Sequence, residues 1–169
     1  MPTSYNVILT GLLVAVMSLT ACAAAKRPAG QWSYFHFDGH AFVAGRPADD
    51  IPFVAVQSGV RPEVLKQGEK PEAVKLAGGN GALAGICYIQ RFGGKLKPGP
   101  AYLPYARMPV LVSSGARVVA TVETDDGGYF LVALTPGRYR LQANEVAEIT
   151  VESGTTTLVP LRAGKRMAD

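Results

Sequence analysis

Thr124-Asp125-Asp126-Gly127-Gly128-Tyr129-Phe130-Leu131-Val132-Ala133-Leu134-Thr135-Pro136-Gly137-Arg138-Tyr139 is written as turn, strand, turn, strand. Asp and Gly tolerate positive φ, so Asp125 to Gly128 is a strong turn, expected here as a hairpin between adjacent strands with Gly128 at positive φ. Tyr129 to Leu134 is the return strand. Thr135-Pro136-Gly137 turns again, and Arg138 to Ala143 alternates polar with apolar, the period of a half-buried strand. Phe130, Leu134, Tyr139 and Leu141 are the core residues this pattern selects.

The same grammar extends in both directions. Upstream, Met108 to Val112 is apolar and β-prone, Ser113-Ser114-Gly115 punctuates, and Arg117 to Thr124 alternates. Gly85-Ile86-Cys87-Tyr88-Ile89-Gln90 adds a strand before them. Downstream, Glu145 to Val151 and Thr155 to Leu161 are expected to pair through Glu152-Ser153-Gly154. That makes seven strands, with turn signals at roughly the 8–12-residue spacing of a β-sandwich.

Thr124-Asp125-Asp126-Gly127-Gly128-Tyr129-Phe130, Leu134-Thr135-Pro136-Gly137-Arg138-Tyr139 and Val151-Glu152-Ser153-Gly154-Thr155-Thr156 together resemble the carboxypeptidase regulatory-like domain. The resemblance covers residues 84–162. It implies an all-β, seven-stranded antiparallel Greek-key sandwich of the prealbumin-like (transthyretin-like) kind. It implies a non-catalytic module, a spacer, adhesion element or support, and carries no catalytic residues over. Its motifs are turn chemistry, which specifies fold and hardly constrains function. The insertion Phe92 to Arg107, rich in Gly, Pro, Lys and Tyr, is longer than the usual first connection and is a candidate binding loop.

Residues 31–80 lie outside the resemblance. Trp32 to Phe37, Ala41 to Ala44 and Ile51 to Val56 are strand candidates, with Gly39 as a turn. Arg61 to Leu76, charged and carrying Pro62 and Pro71, reads as a short helix or helical turns in a linker. Gly78-Gly79-Asn80-Gly81 marks a boundary. The region is either a small β subdomain or an extension packed on the sandwich.

The N-terminus gives an address. Val7 to Leu19 is a 13-residue apolar run. A spanning helix needs about 20 such residues, and a run of this length reads as a signal-peptide core. Leu19-Thr20-Ala21-Cys22 then resembles the bacterial lipoprotein box at all four positions. The resemblance implies a diacylglycerol on Cys22 and cleavage before it. Residues 1–21 are then the signal, 22–30 a tether and 163–169 a tail. Met1 to Asn6 has no Lys or Arg, a departure from the usual n-region. Cleavage near Ala21-Cys22-Ala23, releasing a soluble protein, is the alternative, and a buried apolar helix the other. The net charge of +4 is diffuse. It suits anionic lipid or polysaccharide and excludes no class beyond dedicated nucleic-acid binders. With Cys22 acylated, Cys87 has no intramolecular partner and reads as a small buried apolar residue.

Candidate chemistry is sparse. His36-x-Asp38-x-His40 would face one way on a strand and offers zinc-type donors, but Gly39 interrupts the strand and a fourth ligand is missing. Asp125-Asp126 has too few donors for a calcium loop. Ser113-Ser114 lacks the setting of a hydrolase nucleophile. Gly78-Gly79-Asn80-Gly81 lacks the Lys and Ser/Thr of a phosphate loop. The reading is therefore a lipid-anchored cell-envelope protein, not an enzyme. It has no cofactor, metal or catalytic residue, and lipidation at Cys22 is its one site. It is placed at the periplasmic face of the outer membrane, with secreted or periplasmic soluble as the alternative. Its partners are the membrane through Cys22 and an envelope protein or polysaccharide, with no nucleic acid. The competing reading is an enzyme or enzyme accessory with a pocket in the N-terminal segment.

Overall fold

Ala82-Leu83-Ala84-Gly85-Ile86-Cys87-Tyr88 has no polar alternation, which in a strand means burial on both faces. The computed structural model describes residues 30–48, 50–92 and 101–167, and it puts this run at the centre of three stacked layers. Twelve strands and no helix form among the described residues. They are β1 (Ser33–Phe37), β2 (Phe42–Ala44), β3 (Phe53–Val56), β4 (Glu63–Leu65), β5 (Gly81–Phe92) and β6 (Tyr102–Pro104). There follow β7 (Pro109–Ser114), β8 (Arg117–Glu123), β9 (Tyr129–Leu134), β10 (Gly137–Gln142), β11 (Val146–Val151) and β12 (Thr156–Met167).

The middle layer is built on β5. Along one edge β5 pairs with β12, and along the other with β9 and then β6. Odd-numbered Leu83 and Cys87, with Phe130, Leu134, Val159 and Leu161, face the sheet β11-β10-β7-β8 and meet Val110, Val112, Tyr139 and Leu141 there. Even-numbered Ala84, Ile86 and Tyr88, with Tyr129, face the sheet β2-β1-β3-β4 and meet Phe37, Val54 and Val56. The second contact is aromatic. Phe37 lies 4.5 Å from Tyr88 and 4.8 Å from Tyr102, and the Tyr129 hydroxyl donates to the Pro52 carbonyl at 2.9 Å. Residues 31–65 thus form a third layer on the sandwich, and Tyr102 from the long insertion helps seal it.

Two corners carry the chain between layers. At the first, Tyr129 N–H donates to Asp125 Oδ1 and Gly128 N–H to the Asp125 carbonyl. The buried Thr124 hydroxyl donates to the Tyr105 carbonyl and accepts from Met108 N–H. At the second, the Tyr139 hydroxyl donates to the Thr135 carbonyl four residues upstream at 2.7 Å, locking the Thr135-Pro136 bend in the manner of a tyrosine corner.

The described N-terminal residues share an end of the molecule with the start of β5. Ser33 pairs with Val56, Gly59 N–H donates to the Gly154 carbonyl, and Gly154 N–H donates to the Asn80 carbonyl. Val151 pairs with Gly137 at this same end, since a Cβ on Gly81 would run into Val151 and the Glu152 carbonyl.

All seven expected strand segments of the sandwich are strands, but several pairings differ from expectation. Tyr129–Leu134 is not the hairpin partner of Arg117–Glu123: β9 pairs with β5 and β8 with β7. Val122 and Phe130 pack in one core, so the two strands meet face to face across it rather than edge to edge. Asp125 to Gly128 is an inter-layer corner. Val146–Val151 pairs with β10, and β12 runs parallel to β5, so they are not a final hairpin and the sandwich is not wholly antiparallel. The count is twelve strands in three sheets, not seven. Arg61 to Leu76 is not helical: Glu63–Leu65 completes the first sheet and Val60 bridges Lys75. Pro62 and Pro71 disfavour a helix at the residues before them, and Gly68 sits at φ +88°.

Candidate functional site

The side chains selected as candidate chemistry are dispersed, each with its own structural partner. His36 lies on β1, but Asp38 and His40 fall in the turn to β2. Asp38 Oδ1 accepts from the backbone N–H of His40 (2.7 Å) and of Ala41 (2.8 Å), which holds its carboxyl below its ordinary value. His36 Nδ1 contacts the Gly45 carbonyl at 3.1 Å, and His40 Nδ1 contacts Gln90 Nε2 at 3.1 Å. The strand geometry that would align them ends at Phe37. Among the described residues no three His, Cys, Asp or Glu side chains cluster as a metal-ligand set.

Asp125 caps its own turn through Tyr129 N–H, and Asp126 accepts from Arg107 Nη2 at 2.9 Å. Ser113 donates to the Arg140 carbonyl at the end of β7. Gly79 (φ +81°) turns the chain into β5. Cys87 is fully buried, and burial pushes its thiol up to about 12, leaving a protonated, unreactive group at neutral pH. Burial likewise raises Tyr129, Tyr102 and Tyr88 above the ordinary phenol value. Cys22 and residues 93–100 of the insertion lie outside the described residues. No described helix is long and apolar enough to cross a membrane.

The described residues form surface depressions, of which two stand out for their lining. One, of about 450 Å³, is a notch between Arg61–Val64 and the start of β9, with Glu123 and Asp125 on its wall. The other, of about 500 Å³, lies on the outer face of the β10–β11 pair and is bounded by Arg138, Arg140, Glu148, Thr150 and Gly115. Its chemistry follows from alternation. Tyr139 and Leu141 point inward to the core, so Arg138 and Arg140 stand outward and exposed. Arg140 is opposite both Glu148 and Ser113, and Arg117 is opposite Ser114. The three arginines make no ion pair within the described residues. The alternation of Arg138 to Ala143 marks a strand, and its polar half is the face that carries Arg138 and Arg140. The signal was there, in Arg-Tyr-Arg-Leu-Gln, but the register that sets Ser113 and Val118 beside Arg140, and turns Arg117 to the opposite face, depends on β7.

No protein-family model matches the chain, and no curated protein matches it. One similar solved structure is GBS52, a minor pilin of the Gram-positive pathogen Streptococcus agalactiae. It is 13% identical with a TM-score of 0.39, over 82% of this chain and 83% of that chain. A likeness this slight carries no functional argument. The carboxypeptidase regulatory-like resemblance therefore stands on the turn residues of this chain alone.

Proposed function

We propose that this chain is a lipid-anchored cell-envelope protein, acylated at Cys22 and displaying a non-catalytic β-sandwich of the carboxypeptidase regulatory-like, prealbumin-like kind as a binding or structural module. The observation that carries it is Leu19-Thr20-Ala21-Cys22 after a 13-residue apolar run. The described residues begin at Gly30, at the end of the molecule that holds the start of β5. The polar side chains described support a structural role. Asp38, Thr124, Asp125 and Tyr139 each hold a turn or corner. The proposed location is the periplasmic face of the outer membrane, with an envelope protein or polysaccharide as partner.

Intact mass spectrometry of the membrane fraction tests the anchor. Expected is a chain beginning at Cys22 with a diacylglyceryl mass added. Cys22→Ser should release the protein from membranes or block maturation, because one acyl chain holds only marginally and two hold stably. A wild-type protein found wholly soluble, with Cys22 unmodified or removed, overturns the reading.

A further inference from the structure

We propose that the outer face of the β10–β11 pair, with Arg138 and Arg140, is a docking surface for an anionic phospholipid bilayer. The proposal rests on the lipid-anchor reading for the nearness of a membrane, and on the structure for everything else. Three observations converge.

The first is charge without a partner. Arg138 and Arg140 are two residues apart on β10, so they project from one face, roughly 7 Å apart along the strand. Arg117, paired with Ser114, stands on the core side of the β7–β8 hairpin and is not part of this surface. Arg138 and Arg140 are exposed and neither is ion-paired among the described residues. Glu148, opposite Arg140, is the acid within the depression. Guanidinium groups in this setting suit phosphate oxygens, which they can hold bidentately.

The second is apolar exposure beside that charge. β8 carries an extra residue at Val119, because Ser113 pairs with Val118 and Val112 with Ala120. A bulge of this kind breaks the alternation locally, leaving Val118 53% and Val119 37% exposed, with Val118 across Ser113 from Arg140. Short apolar side chains beside an arginine fit the boundary between headgroups and acyl chains.

The third is position. Arg138 pairs with Thr150, one step from the Gly137–Val151 pair at the end of the molecule where the chain enters at Gly30. Cys22 is eight residues before Gly30, a reach of at most roughly 30 Å. Lys26 and Arg27 lie on this connection, which carries no acid. An acyl anchor at Cys22 therefore brings this end of the sandwich to the headgroups.

The test uses the full-length chain carrying Cys22→Ser, purified without acylation, in vesicle sedimentation. Vesicles of phosphatidylcholine mixed with phosphatidylglycerol are compared with phosphatidylcholine alone. Expected is preferential, salt-sensitive binding to the anionic vesicles. Arg138→Gln/Arg140→Gln should lower that partition about thirtyfold at low ionic strength, from the usual contribution of a basic residue near an anionic surface. The N-terminal apolar segment is common to both chains, so their ratio isolates the arginines. Lys66→Gln/Lys70→Gln, the same charge removed elsewhere, should change it far less. Circular dichroism melts confirm that all variants fold.

Equal binding to neutral and anionic vesicles overturns the proposal. So does equal weakening by both double variants, which would report net charge alone. Arginine-dependent binding to polygalacturonate without binding to anionic vesicles would assign the face to an acidic polysaccharide and overturn the lipid assignment. The measurement is made on an unacylated chain, so an unmodified Cys22 in cells would remove the anchor without touching this result.

Discussion

Gly128 has two reasons to be glycine. Its φ is +79°, and a Cβ there would lie 2.5 Å from the Cys87 carbonyl oxygen and 3.0 Å from Tyr105 N. The obstacle is backbone, which cannot rotate away. Gly128→Val should therefore cost at least about 2 kcal/mol, adding a strained φ to a clash. Asp126→Asn disturbs only an exposed pair with Arg107, so its melting temperature should stay near that of wild type. Thermal melts of both, with and without chelator, check this. A Gly128→Val protein as stable as wild type overturns the argument, and a chelator effect on either variant would reveal a metal. Cys87 gives a pH prediction. The folded state keeps the thiol proton up to about 12, against an ordinary value of 9.0. Between those values the folded state binds more protons than the unfolded, so stability falls as pH rises. Tyr129, raised in the same direction from 10.0, adds to the fall at higher pH. Urea titrations from pH 8 upward should show a shallower initial decline for Cys87→Ala than for wild type.

At the scale of elements, β5 and β9 are made for each other. Gly85 pairs with Phe130, and a Cβ on Gly85 would land in the Phe130 ring. Phe130 is 2% exposed, so Phe130→Ala should cost about 3–5 kcal/mol. Gly85→Ala should cost about 1–3 kcal/mol by overpacking. The double variant should cost less than the sum, because removing the ring removes the clash; additive losses in denaturant titrations would contradict the contact. These elements also mark what could be read in advance. Turn chemistry at Asp125–Gly128 and Thr135–Gly137, with alternation in Arg138–Gln142, located the strands and the core residues Phe130, Leu134, Tyr139 and Leu141. Pairing was not legible. A turn of Asp and Gly looks alike whether it closes a hairpin or crosses between layers, and the difference lies in which strand supplies the facing core residue.

The whole molecule is three layers sharing one middle sheet, and that predicts how it comes apart. Phe37, Val54 and Val56 rest on the back of β5 and β9, whose front is the sandwich core. Stripping the first sheet would bare Ala84, Ile86, Tyr88 and Tyr129 to water. Residues 30–167 should thus unfold in one transition. Trp32, the only tryptophan, packs in the first sheet, while far-UV circular dichroism reports all the strands. Urea curves from the two probes should coincide; an earlier fluorescence transition would make the first sheet a separate unit. The role of residues 31–65 was hidden from sequence because the clue was the unalternating run Ala82–Tyr88, which reads as one buried strand until a second covering layer is seen. His36, Asp38 and His40 would align only on an unbroken strand; Gly39 already argues against one, and β1 stops at Phe37. The parallel pairing of β12 with β5, Thr156 on Ala82 through Met167 on Phe92, has a further consequence in time. The strand that covers the free edge of β5 is synthesised more than sixty residues after it, and such distant pairing is slow to form. A nascent chain thus keeps this edge of β5 open, an adhesive seam for other strands, until β12 has emerged.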